Sequence, residues 1–200
     1  MAQHIRRDRS KFICLPLYTY QCLTQTKITT CLPSSEEAFA SCREEPASTL
    51  HDVFKGVGAD YSLFASAVIT CHLFNQILRH IHRPQPNEQP EDIDYGKFWT
   101  RHRELDNTLS SAFMFLPERF RLPKQLRNPV AVHTNLNFHA AVICLHHASC
   151  DKADEYNLPD HIRKVSLDRL VTAAGEIVNI MRLTAHMNAG YVGLPPFPLL

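Results

Sequence analysis

Twelve histidines in a chain of 200 residues are the first chemical feature. Imidazole is the commonest side-chain metal ligand and binds zinc or iron well. His80 and His82 flank Ile81, while His133, His139, His146 and His147 fall within one helix-like stretch. His139 and His146 lie seven residues apart, two turns along one face, and His72 and His80 lie eight apart on another. A metal held between facing helices by some of His72, His80, His139 and His146 is the chemistry such a set would serve. The usual helical ligand signature is missing, because it pairs ligands at i and i+3 or i+4, often with a carboxylate. Four residues after His139 comes Ile143, and no Asp or Glu lies between Arg127 and Asp151. Packing and surface positions are the simpler reading of these histidines.

The remaining reactive groups are sparser. His51-Asp52 matches the dipeptide of all-α metal phosphohydrolases, but it sits near Gly56 and Gly58 in a stretch that reads as loop, where that chemistry needs a helix. The seven cysteines are odd in number, and no two have the C-x-x-C spacing of a zinc turn. They read as free, buried thiols of a reducing compartment. No G-x-S-x-G element is present, and Cys144 lies inside an apolar run as a core residue would. Basic residues at Arg101, Arg103, Arg119, Arg121, Lys124 and Arg127 lie near Trp99, Phe113, Phe115 and Phe120, a combination that can hold nucleic acid. Glu104, Asp106 and Glu118 interleave with them, so solvated faces and internal ion pairs are expected instead.

The elements that must position these groups follow from composition and periodicity. Apolar residues make up 44% and charged residues 20%, which is ordinary globular usage and room for one core. A net charge of +1 disfavours both a strongly basic nucleic-acid binder and an acidic tail protein. Six glycines are too few for a turn-rich β fold or a phosphate-cradling loop. The basic N-terminus followed by Phe12 to Leu17 resembles a signal peptide, yet Pro16, Tyr18 and Gln21 interrupt it and no small-x-small cleavage site follows. Two stretches without Asp, Glu, Lys or Arg, at 61–78 and 128–150, are long enough to cross a membrane. Their His, Asn and Gln content favours buried helices of a domain with no membrane contact.

Residues 1–30 carry no clear period. Ser34 with Glu37 has capping-box spacing and predicts a short helix through Phe39. Residues 43–60 read as loop. Asp60 can cap a helix over 61–82 that is apolar around most of its circumference and ends at Pro84. A polar, proline-rich linker follows. A helix over 95–115 carries the stripe Phe98, Leu105, Leu109, Ala112 and Phe113. Segment 116–129 holds three prolines and must be ordered loop or short turns. A helix over 130–156 and another, bounded by Pro159 and with Asp160 as its candidate cap, complete the pattern. The last has an apolar face of Leu167, Leu170, Val171, Ala174, Ile177, Val178, Met181 and Ala185. The expected fold is all-α, multi-helix, followed by a Pro-rich tail at 191–200.

From about residue 31 to 190 the chain resembles the regulatory domain, or middle homology region, of fungal zinc-cluster transcription factors of the xylanolytic-activator type. The ordered pieces are Leu32-Pro33-Ser34-Ser35-Glu36-Glu37-Ala38-Phe39, His80-Ile81-His82-Arg83-Pro84, Phe98-Trp99, Arg101-His102-Arg103 and Leu105-Asp106. They continue with Phe115-Leu116-Pro117, Leu122-Pro123, Leu136-Asn137, His139, Ile143-Cys144-Leu145-His146, Ala173-Ala174 and Glu176-Ile177. The resemblance implies a nuclear regulatory module without catalysis, reaching DNA only through an upstream domain that carries the two zinc ions. Cys14, Cys22, Cys31 and Cys42 lack the cluster spacing, so no catalytic, cofactor, metal or DNA-binding residue is assigned to this chain.

The resemblance also implies further helices after the tail, so the domain is expected to be truncated. Apolar faces of the last two helices would then be partly uncovered. Protein partners or a small-molecule effector are expected, the latter in a pocket between the 61–82 and 130–156 helices. The competing expectation is a His-rich, all-α, metal-dependent hydrolase.

Overall fold

The computed structural model describes residues 29–54, 61–83 and 87–185. Among them run six α-helices: α1 (Glu36–Ala40), α2 (Leu50–Phe54), α3 (Leu63–His82), α4 (Lys97–Met114), α5 (Pro129–Glu155) and α6 (Asp160–Thr184). A single 3-10 turn, Glu118–Phe120, lies between α4 and α5. The fold is all-α. The described residues contain no β-strand, only an isolated bridge between Cys31 and Thr49. The irregular segment and the tail expected at the two ends lie almost wholly outside the described residues.

Local chemistry explains where each helix begins. Ser35, one residue after the expected cap, accepts the amide of Ala38 at 3.2 Å and so caps α1. The returning carboxylate comes from Glu45, which accepts the Ser35 amide at 2.8 Å, instead of from Glu37. This bond from the Ser35 backbone holds the Glu45 carboxyl below its ordinary range. Residues 50–54 are helical where loop was expected, because Thr49, just before the helix, and Asp52 form a reciprocal capping box. Thr49 Oγ1 accepts the Asp52 amide at 3.3 Å, and Asp52 Oδ2 accepts the Thr49 amide at 3.2 Å. The expected cap Asp60 lies outside the described residues. Ser62 caps α3 by accepting the Ala65 amide at 3.1 Å, and its hydroxyl donates to the Pro33 carbonyl at 2.8 Å.

The remaining ends follow the same logic. Gly96 precedes α4 where a Cβ would lie 2.2 Å from the Gln89 carbonyl oxygen and 2.3 Å from that of Asp92, so only glycine fits. Asn128 caps α5 by accepting the amides of Val130 and Ala131, with Pro129 in the first turn. Asn157, at φ 49°, turns the chain out of α5, and the Leu158 amide returns to the Ala153 carbonyl at 2.9 Å. Asp160 is the first residue of α6, not its cap. Its charge complements the helix N-terminus there.

Helix α5 is the centre. It packs along α6 and also against α3, α4 and the 3-10 turn. Ile69, Leu73 and Ile77 of α3, Leu109 of α4, Phe138 and Leu145 of α5, and Phe120 of the turn form the core. Cys31, Cys42 and Cys71, expected to be buried, are exposed, and several buried polar groups are paired across the helices. Ser66 and Thr134 hydroxyls are 3.1 Å apart, and those of Ser149 and Ser166 are 2.8 Å apart. Asn135 donates to the Phe120 carbonyl at 2.7 Å, fixing the proline-punctuated loop to α5. No helix among the described residues is long and apolar enough to cross a membrane.

Candidate functional site

Among the described residues, a column of polar and aromatic side chains joins α3, α4, α5 and α6. Phe98, His102, Asp106 and Ser110 recur every four residues along one face of α4. His80 from α3 stacks on Phe98 with ring centroids 4.6 Å apart and lies 6.0 Å from His102. His102 meets His146 of α5 edge-on at 5.2 Å, and Trp99 edge-on at 5.8 Å. His146 Nε2 then stands 3.4 Å from Asp106 Oδ1. Arg169 of α6 closes the column, donating to Asp106 and, at 3.1 Å, to Ser110.

Burial sets the protonation of this column. His80 and His102 are about 5% and 6% exposed. Burial, reinforced by the Arg101 charge, pushes His80 down to about 4. Burial, reinforced by the His146 and His80 charges, pushes His102 down to about 3. Both rings are therefore neutral at pH 7. Asp106 feels burial in the opposite sense, but hydrogen bonds from His146 and Arg169 and the Arg169 charge outweigh it and hold the carboxyl at about 2. Both ring nitrogens of His80, and Nδ1 of His102 and of His146, have no hydrogen-bond partner among the described residues. His80 and His102, with pKa values this low, are weak bases, far from the range that serves general acid–base transfer at neutral pH.

Beside the column, the linker after α3 is strapped to α4. Trp99 Nε1 donates to the Pro90 carbonyl at 2.6 Å, and the Phe98 amide donates to the Glu88 carbonyl at 3.1 Å. Arg101 pairs with Glu88, and Arg103 donates to the Ile93 and Asp94 carbonyls at 2.8 and 2.6 Å. Arg121 donates to the carbonyls of Leu116 and Met114 at 2.7 and 2.8 Å. These three arginines of the expected basic stretches are thus engaged as internal fasteners. Lys124 faces Glu118 at 3.7 Å on the surface, where such a pair contributes little.

The four histidines considered as ligands are divided. His80 and His146 enter the column, bridged by His102. His72 instead packs on Phe54 at 5.4 Å and pairs with Gln76, and His139 packs on Phe113 at 5.3 Å. The rings of the column stack in series, and no group of three or more His, Cys, Asp or Glu side chains among the described residues could hold a metal ion. Asp52 of the His51-Asp52 dipeptide is turned back onto its own cap, while His51 is exposed. The interface expected to hold an effector pocket is filled by Ile69, Leu73, Ile77, Phe138 and Leu145. An open hollow of about 480 Å³ lies instead along the first turns of α6, lined by Asp160, His161, Arg163, Lys164 and Leu167.

Sequence reasoning did not single out His102, Asp106 or Arg169 as members of one site. The four-residue recurrence Phe98–His102–Asp106–Ser110 was the available signal. Arg169 had none, because it reaches Asp106 from 63 positions away. No family model, no curated protein and no solved structure matches the chain.

Proposed function

We propose that this chain is a non-catalytic regulatory domain of a nuclear transcription regulator of the fungal zinc-cluster type. It reaches DNA through a zinc-cluster domain outside this chain, and answers to protein partners or to a small-molecule effector. One observation carries the reading: several of the residues that bear the resemblance tie the helices together. Trp99 and Arg101 strap the linker to α4, while Phe98, His102, Asp106 and His146 link α4 to α3 and α5. A scaffold role for those positions is what a regulatory module requires, since such a module transmits through packing.

The test is a tethered reporter. The full chain is fused to a heterologous DNA-binding domain and expressed in a fungal host, and transcription from a promoter carrying the matching operator is measured. The reading expects transcription to change several-fold relative to the DNA-binding domain alone. It is overturned if transcription is unaltered while the purified chain retains about one metal ion per molecule and hydrolyses a phosphoester, because a working metal site copurifies with its ion.

A further inference from the structure

Helix α6 has two apolar faces, and among the described residues only one is covered. Ser166, Ala173 and Ile180, seven residues apart, face the bundle and are buried. A second row, Leu167, Val171, Ala174, Val178, Met181 and Ala185, is spaced alternately four and three residues apart. That is the a/d seam of a coiled coil, with Val171 and Val178 at a and Leu167 and Met181 at d. All four of those side chains are exposed, from 38% at Leu167 to 59% at Val171. Gly175 borders the seam, and a Cβ there would meet nothing within 4 Å. Packing among the described residues therefore gives no reason for a residue that weakens a helix interior, whereas close approach of a second backbone does.

Charge decides the orientation of that second helix. Asp168 flanks the seam at one end and Arg182 occupies the equivalent flank at the other. When a second α6 is laid end for end, each Val171 meets Met181 of the partner subunit and each Ala174 meets Val178 of the partner subunit. Each Asp168 then falls beside Arg182 of the partner subunit, twice per pair. A side-by-side parallel pair would direct Asp168 to Arg163 of the partner subunit, a position already engaged by Asp154 at 3.1 Å within the chain. We propose that the outer face of α6 is a self-association surface, and that its occupant is the α6 of a second copy of this chain, paired antiparallel about a two-fold axis. Such an isologous seam closes on itself and yields a dimer, not a filament.

Sedimentation equilibrium of the full 200-residue chain tests this. At roughly 100 μM the wild type is expected at twice the monomer mass. Val171→Glu places a charge in the seam and is expected to raise the dissociation constant by more than about tenfold, with far-UV circular dichroism unchanged because the side chain lies outside the fold. Asp168→Arg is expected to weaken the pair, and Asp168→Arg with Arg182→Asp to restore it. Four results overturn the proposal: a wild-type monomer at this concentration, a ladder of larger species, a dimer indifferent to Val171→Glu, or a double charge exchange that does not restore association. The first would leave another chain or a further helix as the occupant, and the last would point to a parallel pair.

Discussion

Helices α5 and α6 are neighbours of similar length, 27 and 25 residues, and they live in opposite surroundings. Ten side chains of α5 are buried against elements on several sides, and three of α6 are buried on one line. Each carries many apolar residues, so apolar content alone does not say which helix is central. What separates them is the distribution of small and polar residues. On α5, Ala131, Thr134, Asn135, Ala141, Ala148 and Ser149 are buried, which lets neighbours approach on more than one face. On α6 the charged residues Asp168, Arg169, Glu176 and Arg182 break the circumference into stripes. The lesson is that centrality is marked by buried small and hydrogen-bonding residues as much as by large apolar ones.

The largest expected contrast lies in truncation. Leu145→Ala removes a fully buried side chain at the middle of α5 and is expected to cost about 3 kcal/mol, as large-to-small changes in closed cores do. Urea denaturation followed by circular dichroism measures it. A cost under about 1 kcal/mol would mean that α5 is not the packed centre.

Acid is expected to act almost as strongly, through the column that joins α5 to α3 and α4. His80 and His102 have folded pKa values lowered to about 4 and 3, below the ordinary 6.5. A basic group with a depressed folded pKa favours the native state above its unfolded pKa. That contribution is lost as pH falls below about 6.5, and the loss is complete only below the folded pKa. Asp106, held at about 2, adds a further loss below about pH 4. Two such imidazoles amount to roughly 3 kcal/mol between pH 7 and pH 5. His102→Phe preserves a ring among Phe98, Trp99 and His146 and is expected to roughly halve that slope. An unchanged slope would place the acid sensitivity elsewhere.

The clamp between α6 and the bundle comes next. Asp106→Asn keeps the shape but removes the charge that Arg169 and His146 address, and is expected to cost about 1–2 kcal/mol. Hydrogen exchange of α6 amides sharpens the comparison. If the clamp holds α6 to the bundle, the variant raises exchange in α6 more than in α5. Equal acceleration in both helices would show that the two unfold as one unit.

How much of this was legible beforehand follows from the same residues. Periods of 3.6 and the proline boundaries placed α3, α4, α5 and α6 to within about two residues, because long amphipathic segments are strongly patterned. The Thr49–Asp52 box of α2 was equally readable but was masked by the glycines at 56 and 58. The column was half legible. His80 and His146 stood out by type, whereas Asp106 needed the i, i+4 recurrence along α4 and Arg169 needed the fold. A tertiary contact across 63 positions leaves no periodic trace in a single sequence.

The smallest expected effects fall on the outer row of α6, and their smallness carries weight. Met181→Gln exchanges one exposed, unbranched side chain for another and is expected to change stability by less than about 0.5 kcal/mol at submicromolar protein. Gly175→Ala is expected to stabilise the dilute chain by about 0.5–1 kcal/mol, since no described residue lies within 4 Å of the added methyl. Repeating both melts at high concentration separates the fold from its assembly, because only an associating chain has a midpoint that rises with protein concentration. If Met181→Gln is silent when dilute and destabilising when concentrated, the outer row acts between molecules. If it costs more than about 1 kcal/mol at every concentration, the row is covered within one chain, and α6 is a buried helix like α5.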